Sequence, residues 1–263
     1  MDYVYAAVLG VVQGIAEFLP VSSSGHLVIA EELMRATASR PMPDWLKGMT
    51  MNIALHFGSL LSITVVYWND LLALLKQPRL LGLIVLASVP VGFVGLLFKD
   101  DIDAAFDSAL LAGCGLLVTA AFLLIARRFQ RGVVELPNMP AWTAVIVGVF
   151  QAIAILPGIS RSGSTIASGL SCGLKRPDAA RFSFLIAMPA IGGATLLELK
   201  DILTGKVVVD AAWQPLLLGA VISFLVGLVC LRWLIQLLSK DKLHWFAYYC
   251  LVVGVLTIVW QMS

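Results

Sequence analysis

The sequence predicts an all-α integral membrane protein with six transmembrane helices and two re-entrant helical hairpins, arranged as an inverted-topology repeat. Three observations carry this reading. First, 60% of the 263 residues are hydrophobic and only 13% are charged, against about 45–50% and 25% in a soluble domain. Mean hydropathy is accordingly +0.94. Second, six segments have the ~20 apolar residues needed to cross a ~30 Å hydrocarbon core. Third, two further apolar segments are too short to cross, and they resemble each other. No stretch is polar enough and long enough to form a separate soluble domain, so residues 1–263 read as one membrane domain.

In chain order, the first short segment is residues 3–19. It runs into Glu17, Pro20 and the serines Ser22–Ser24. Proline ends or kinks a helix, so the chain turns there and returns through "HLVIAEELM". This is the first hairpin, residues 3–35. Spanning segments at 50–69, 80–98 and 108–127 follow. The second short segment, 141–156, meets Pro157 and Gly158 and returns through "TIASGLSCGL", making a hairpin over 141–174. Spans at 180–199, 213–235 and 244–262 complete the chain. Broken helices survive at membrane depth only when they are buried in protein or line a wet cavity.

The two hairpins align without a gap. "GVVQGIAEFLPVSSSG" (Gly10–Gly25) over "GVFQAIAILPGISRSG" (Gly148–Gly163) gives eight identities in sixteen positions. They are Gly10/Gly148, Val11/Val149, Gln13/Gln151, Ile15/Ile153, Ala16/Ala154, Ser22/Ser160, Ser24/Ser162 and Gly25/Gly163. Gly, Ala and Ser recur in membrane helices, but eight matches at one offset exceed what composition suggests. Each hairpin precedes three spans, so the chain divides into repeat 1 (1–130) and repeat 2 (140–263).

Three spans per repeat invert the second copy relative to the first. Charge tests the alternation. One set of connections carries Lys76, Arg79, Arg127, Arg128, Arg131, Lys175, Arg176, Arg181, Arg232, Lys240 and Lys242, against Asp70, Glu135, Asp178 and Asp241. The other carries six basic residues (Arg35, Arg40, Lys47, Lys99, Lys200, Lys206) and eleven acidic ones, from Asp2 to Asp210. Lys and Arg accumulate in cytoplasmic loops. Both termini and the mouth of the first hairpin are therefore expected outside, and the second hairpin is expected to enter from the cytoplasm. Trp45, Trp68, Trp142, Trp213, Trp233, Trp245 and Trp260 fall near segment ends, as interfacial anchors do.

Other classes are disfavoured. A net charge of +2 without a basic tail gives no reason to expect nucleic acid. Cys114, Cys172, Cys230 and Cys250 form no C-x-x-C pair and read as small core residues. The N-terminus has no basic region or cleavage site, so a removable signal peptide is not expected. The oligomeric state is open, a homodimer included.

The chemistry concentrates in the hairpins. Gln13 and Glu17 are four apart and share a helix face. An ionisable residue in a membrane segment is costly and is a functional candidate by default. "SSSGH" then offers Ser22, Ser23, Ser24 and the Gly25 amide ahead of a helix, a ready anion site. His26 exchanges protons near neutral pH. A helix cap and a satisfied core histidine are the bland alternative, but Glu, three Ser, Gly and His together outweigh it. In the second hairpin, "PGISRSGST" supplies Ser160, Arg161, Ser162, Gly163 and Thr165, with Arg161 in the slot that Ser23 occupies in the first. The guanidinium fork suits phosphate oxygens. If the hairpins meet, the set suits a phosphate ester. Arg161 and the amides would stabilise phosphoryl charge. Glu17, helped by Gln13, would hold a divalent cation, Mg2+ or Ca2+. His26 would act as general base toward a serine or a water. His56 ranks lower: on a spanning helix it either bonds a neighbouring carbonyl or, as the lesser alternative, lies near the site. His244 reads as interfacial, and Glu198 and Asp201 as solvated residues at an outer helix end.

These residues resemble a known family. "QGIAEFLPVSSSGH" and "LPGISRSGST" are similar to the two signature regions of the bacterial undecaprenyl-diphosphatase family, the bacitracin-resistance proteins, and the likeness covers essentially the whole chain. It implies an inner-membrane hydrolase that removes one phosphate from undecaprenyl diphosphate on the periplasmic side. The monophosphate carrier then returns to cell-wall synthesis, which gives bacitracin resistance. It also implies a divalent cation, a polyprenyl diphosphate lipid as substrate, and contact with membrane lipid. The family's acidic motif falls on Gln13 and Glu17, its serine and histidine on Ser23 and His26, and its arginine on Arg161. Gln13 replaces one carboxylate by an amide, leaving Glu17 as the acidic ligand. The nucleophile stays open between Ser23, His26 and an activated water.

Two alternatives share part of this pattern. The "PSGH" lipid phosphatases need a second catalytic histidine after their arginine motif, and none follows "SRSG" here. A transporter or flippase of polyprenyl phosphate would also use inverted repeats with broken helices. Such a protein would release no phosphate from a prenyl diphosphate. Replacing Glu17 or Arg161 by alanine is expected to abolish turnover with little change in melting.

Overall fold

The computed structural model describes residues 2–37, 49–129, 132–205, 213–239 and 242–263. Trp45 and the charged residues Arg40, Asp44, Lys47, Arg131, Lys206, Asp210, Lys240 and Asp241 lie outside the described residues. Twelve α-helices are described. The first hairpin is α1 (Asp2–Ala16) and α2 (Ser23–Thr37). Then come α3 (Met49–Val66), a short α4 (Trp68–Leu74), α5 (Pro78–Leu97), a short α6 (Lys99–Phe106) and α7 (Ala109–Ala126). The second hairpin is α8 (Ala141–Ile153) and α9 (Arg161–Ser171). The last three are α10 (Arg176–Leu203), α11 (Trp213–Ser239) and α12 (Leu243–Met262).

Five helices, α5, α7, α10, α11 and α12, are each long and apolar enough to cross a membrane. Counting α3 with α4 gives a sixth, bent by 76° at the break between them. The expected span at 50–69 therefore ends earlier, at Val66, and the chain turns sharply into α4. The short α1 and α8 are the two apolar helices of the hairpins.

The outer surface is apolar, as contact with lipid requires. Val85, Val89, Phe93 and Leu96 face outward from α5, and Val252, Leu256 and Val259 from α12. The described tryptophans are all exposed, several of them at or next to helix ends. The interior holds the polar exceptions: Gln13, Ser59, Ser62, Gln151 and Ser223 are buried. Two cysteine expectations change. Cys230 and Cys250 are buried, but Cys114 is exposed and Cys172 half-buried. In an apolar solvent an outward thiol costs nothing, so the sequence gives no signal to separate the two cases.

Helix pairing exchanges between the halves. The first limb of hairpin one, α1, packs on α11, while the first limb of hairpin two, α8, packs on α5. The matched glycines explain the close approach. A Cβ on Gly10 would meet the Gly219 carbonyl oxygen of α11 at 2.8 Å, and one on Gly148 would meet the Ala87 carbonyl oxygen of α5 at 2.4 Å. Small residues at such crossings are how helices associate where lipid removes the hydrophobic drive. In addition α3 packs on α11 and α10, and α7 on α12.

Ion pairs respect the partition of loops read from the sequence. Arg181 pairs with Asp70, and Lys175 with Glu135 at 2.6 Å, all within the basic set. Lys99 pairs with Asp201, within the acidic set. Asp201 is thus buried and paired, not solvated. Backbone bonds tie the loop after α7 to the turn after α9: Val134 N–H donates to Gly173 O (3.0 Å) and Lys175 N–H to Val134 O (2.9 Å).

Candidate active site

Both hairpin turns are built the same way. In the first, Ser22 Oγ accepts the Gly25 amide at 3.2 Å and lies 3.2 Å from Ser24 Oγ. In the second, Ser160 Oγ accepts the Gly163 amide at 3.0 Å and lies 3.3 Å from Ser162 Oγ. Each serine caps the N-terminus of the returning helix by satisfying one of its orphan amides. Ser22 does so from a left-handed backbone, φ 71°, a conformation costly for a residue with a Cβ and held by its surroundings.

The turns touch. A Cβ on Gly25 would lie 2.7 Å from Gly158 Cα, so the backbones are in contact at this point. Gly158 itself has φ +86°, which only glycine adopts without strain. Ser162 Oγ donates to Leu19 O at 3.3 Å across the same junction. Thr119 of α7 clamps the second turn from below: its hydroxyl donates to Gly158 O (2.9 Å) and accepts from Ser160 N–H (2.8 Å).

Around this junction the expected residues separate into two groups. The first converges on Glu17. Arg161 Nη2 donates to Glu17 Oε1 at 2.6 Å. Ser23 Oγ donates to Glu17 Oε2 at 2.6 Å, and Gln13 Nε2 to the same oxygen at 3.1 Å. Gln13 Nε2 also reaches Ser59 Oγ at 3.3 Å, which continues to Ser223 Oγ at 3.1 Å. His56 Nε2 stands 3.9 Å from Glu17 Oε2, so a residue ranked low by sequence belongs to the site. The Arg161 guanidinium also lies 5.9 Å over the Phe184 ring, a cation–π position. Among the buried side-chain atoms without a hydrogen-bond partner are two of this group, Arg161 Nη1 and Gln13 Oε1.

The second group does not face Glu17. Ser160, Ser162 and Thr165 are buried. The first two have their hydroxyls in the turn, and the Thr165 hydroxyl lies 2.6 Å from Ser183 Oγ. His26 is turned away as well. Its Nδ1 meets Ser22 O at 2.8 Å and its Nε2 meets Tyr249 OH at 2.8 Å, with the two rings stacked 5.6 Å apart. A carbonyl only accepts, so Nδ1 carries the hydrogen and Tyr249 OH donates to Nε2. Both nitrogens are engaged away from Ser23. His244 sits in the first turn of α12, against Trp245 and Tyr248. Ser59, Ser183 and Tyr249 went unnoticed in the sequence. A lone hydroxyl on an apolar helix carries no signal until the partner from another helix is known.

Chemically this is a carboxylate holding a serine hydroxyl, an amide and a guanidinium at one buried point. Among the described residues no group of three or more His, Cys, Asp or Glu is placed to hold a metal ion. The donors are instead one carboxylate, one hydroxyl and the orphaned amide oxygen of Gln13. An oxygen-only set with a single acidic group fits Mg2+, which takes one or two carboxylates and fills its shell with water and substrate phosphate.

Comparison with known proteins extends across the chain. The family model described as "Bacitracin resistance protein BacA" matches residues 6–256. A protein of Rhodopirellula baltica named undecaprenyl-diphosphatase is 43% identical over 259 residues, 98% of each chain. One of the same name from Methanosphaera stadtmanae is 38% identical over 283 residues, again 98% of each. A third, from Halothermothrix orenii, is 39% identical over 255 residues, 95% of each.

Proposed function

The chain belongs to the bacitracin resistance protein BacA family, and we propose that it hydrolyses undecaprenyl diphosphate to undecaprenyl phosphate and inorganic phosphate. The observation that supports this most directly is the meeting of Glu17, Ser23 and Arg161 at one point, in a chain whose full-length relatives are named for that activity. The product is the lipid carrier that cell-wall synthesis consumes, and its return accounts for bacitracin resistance.

Each residue has a role that its geometry supports. Arg161 presents Nη1, buried and without a partner, to the terminal phosphoryl group. When phosphate arrives, the fork turns part of its charge from Glu17 to the phosphoryl oxygens. Ser23 is the nucleophile. Its hydroxyl already donates to Glu17 Oε2, so the carboxylate is the base that receives the proton as Oγ bonds phosphorus. His26, occupied by Ser22 and Tyr249, orients the returning helix instead. Ser22 and Ser160 hold the turns by accepting the Gly25 and Gly163 amides, which are therefore spent on the caps and not on phosphate; Ser24 and Ser162 bond within this junction, and Thr165 braces α9. A divalent cation, Mg2+ or Ca2+, would be held by Glu17 and Gln13 and would supply charge neutralisation at the phosphate oxygens.

The protein is a multi-pass protein of the cytoplasmic membrane. The charge bias of its loops supports a site opening toward the periplasm with both termini on that side. Inversion of repeat 2 relative to repeat 1 is supported by the exchanged pairing of α1 with α11 and α8 with α5. The test is purified protein in detergent with undecaprenyl diphosphate and Mg2+, followed by released phosphate. Stoichiometric release supports the assignment. No release, with lipid moving across vesicle membranes, would favour transport of a polyprenyl phosphate instead.

A further inference from the structure

The helix α9 starts at Arg161 and ends at Ser171, which puts its last residue about 15 Å along the axis from its first. At that far end a cleft of about 490 Å³ opens between the end of α7, the loop after it, the end of α9 and the start of α10. Such a volume falls within the ~300–1,000 Å³ of small-molecule sites. Three arginines line the cleft, Arg127, Arg128 and Arg176, and among the described residues no carboxylate does.

Position in the chain accounts for part of this. Arg127 and Arg128 form a single 3-10 turn with Phe129 after α7. At a helix C-terminus cations complement the dipole, and long basic side chains reach toward the membrane surface. Their lack of partners is not explained in that way. Arg79, Arg161 and Arg181 are each bonded to another part of the chain. Among the described residues, the side chains of Arg127 and Arg128 make no hydrogen bond or ion pair. Arg176 opens α10, and the dipole disfavours a cation at a helix N-terminus. Its N-cap, Lys175, makes no side-chain cap bond, and Asp178 is the one acidic residue of that first turn. Glu135, in the neighbouring loop, is already held by Lys175 at 2.6 Å. An anion in the cleft would face guanidinium forks and a positive helix end together.

The rim of the cleft indicates what carries that anion. Phe129 and Val133 line the same wall and are 48% and 79% exposed. Apolar side chains turned outward beside arginines, next to the end of a spanning helix, sit at headgroup depth. A free anion gains nothing from that apolar rim, whereas acyl chains do. The wall is preformed, because Val134 N–H donates to Gly173 O and Lys175 N–H to Val134 O.

We propose that this cleft binds the headgroup phosphate of an anionic phospholipid. Arg127 and Arg128 engage its oxygens, and its acyl chains lie over Phe129 and Val133. Basic pockets between spanning helices recognise lipid headgroups in this way. The site is separate from Glu17 and does not depend on the phosphatase reading.

The experiment measures melting temperature in delipidated detergent micelles as dioleoyl phosphatidylglycerol is added. A ligand that binds only the folded state raises the melting temperature with its concentration, and the rise gives Kd. Wild type should respond to phosphatidylglycerol, with smaller responses to dioleoyl phosphatidylcholine and to sodium phosphate. Arg127→Gln/Arg128→Gln should weaken Kd for phosphatidylglycerol about 25-fold, from about fivefold per basic residue at an anionic surface. The control is Lys76→Gln/Arg232→Gln, which removes two exposed basic residues outside the cleft. It should bind as wild type does. A wild-type Kd in the arginine variant, or an equal loss in the control, would overturn the site. Phosphatidylcholine or inorganic phosphate acting as strongly as phosphatidylglycerol would overturn the anionic lipid as its ligand. Should the double variant not fold, Arg127→Gln and Arg128→Gln singly decide, each with a loss of about fivefold.

Discussion

Arg161 and Glu17, 144 positions apart in the chain, meet at 2.6 Å with side chains only 15% and 6% exposed. The pair joins the two hairpins and sets the charge balance of the site. Removing one partner of a buried pair leaves an uncompensated charge and costs about 3–5 kcal/mol. Arg161→Ala should therefore lose both turnover and melting temperature, which revises the expectation from sequence that stability would be spared. The double variant Glu17→Ala/Arg161→Ala should melt above Arg161→Ala alone, because no stranded charge remains. Thermal melts of the four proteins in one detergent check this. Additive losses would mean that the pair is not coupled.

Ser23 and its neighbours should separate by function. Ser23 donates to Glu17 Oε2 at 2.6 Å, whereas Ser160 and Ser162 are engaged in the second turn. Ser23→Ala should lower kcat by at least ~10²-fold, as loss of a nucleophile or its proton donor does. Ser160→Ala removes a helix cap and should cost about 1 kcal/mol of stability with kcat near wild type. Phosphate-release kinetics alongside melts decide it. A rapid quench that captures phosphoserine in wild type but not in Ser23→Ala would identify the nucleophile directly.

The division between those serines explains what the sequence could and could not reveal. Six spans, two hairpins and their mutual likeness are legible because hydropathy and glycine spacing are local. The identical positions of the alignment, Ser22/Ser160, Ser24/Ser162 and Gly25/Gly163, turn out to build the turns: each serine pair meets hydroxyl to hydroxyl and each cap accepts a glycine amide. What distinguishes the copies carries the charge, Glu17 against Ile155 and Ser23 against Arg161. In the turns identity therefore marks scaffold and difference marks chemistry, while Gln13, identical to Gln151, is the matched residue that still joins Glu17. His56, Ser59 and Tyr249 escaped because their roles depend on which helix faces them. An imidazole on an apolar helix reads the same whether its neighbour is a carboxylate or a leucine. The direction of His26 is hidden for the same reason, since its partner Tyr249 is 223 residues away.

At the opposite, basic end of the bundle, Lys175 Nζ lies 2.6 Å from Glu135 Oε1, tying the loop after α7 to the turn after α9. The lysine holds the Glu135 carboxyl below its ordinary value. A group whose folded pKa is depressed contributes stability above its unfolded pKa and loses it as pH falls through the folded one. Acidification below about pH 4.5 should therefore loosen this strap. Both side chains are exposed, so the effect should be small and should vanish in high salt. Hydrogen-exchange protection at Val134 and Lys175, taken relative to the intrinsic amide rate at each pH, should fall at low pH in wild type, since their backbone amides bond across the same contact. Glu135→Gln should show the lower protection at every pH. Protection that is insensitive to pH and salt would show that the backbone bonds alone hold the loop.

Gln13 offers a test of the cation site that does not depend on activity. Its Nε2 is 3.1 Å from Glu17 Oε2 while its Oε1 is buried without a partner. Gln13→Glu places a second carboxylate against the first in a site where Arg161 is a single counter-charge. Without a divalent ion, like charges at that distance repel and the buried acid is costly. The variant should then melt below wild type in chelator. A cation that binds only the folded state raises stability by RT ln(1 + [L]/Kd), and a site with two carboxylates binds it more tightly. Adding Mg2+ should therefore raise the melting temperature of Gln13→Glu by more than that of wild type. Glu17→Gln, which removes the acidic ligand, should show no Mg2+ response at all. Equal responses in all three proteins would place the ion elsewhere, because mass action at this site requires the response to follow the number of its carboxylates.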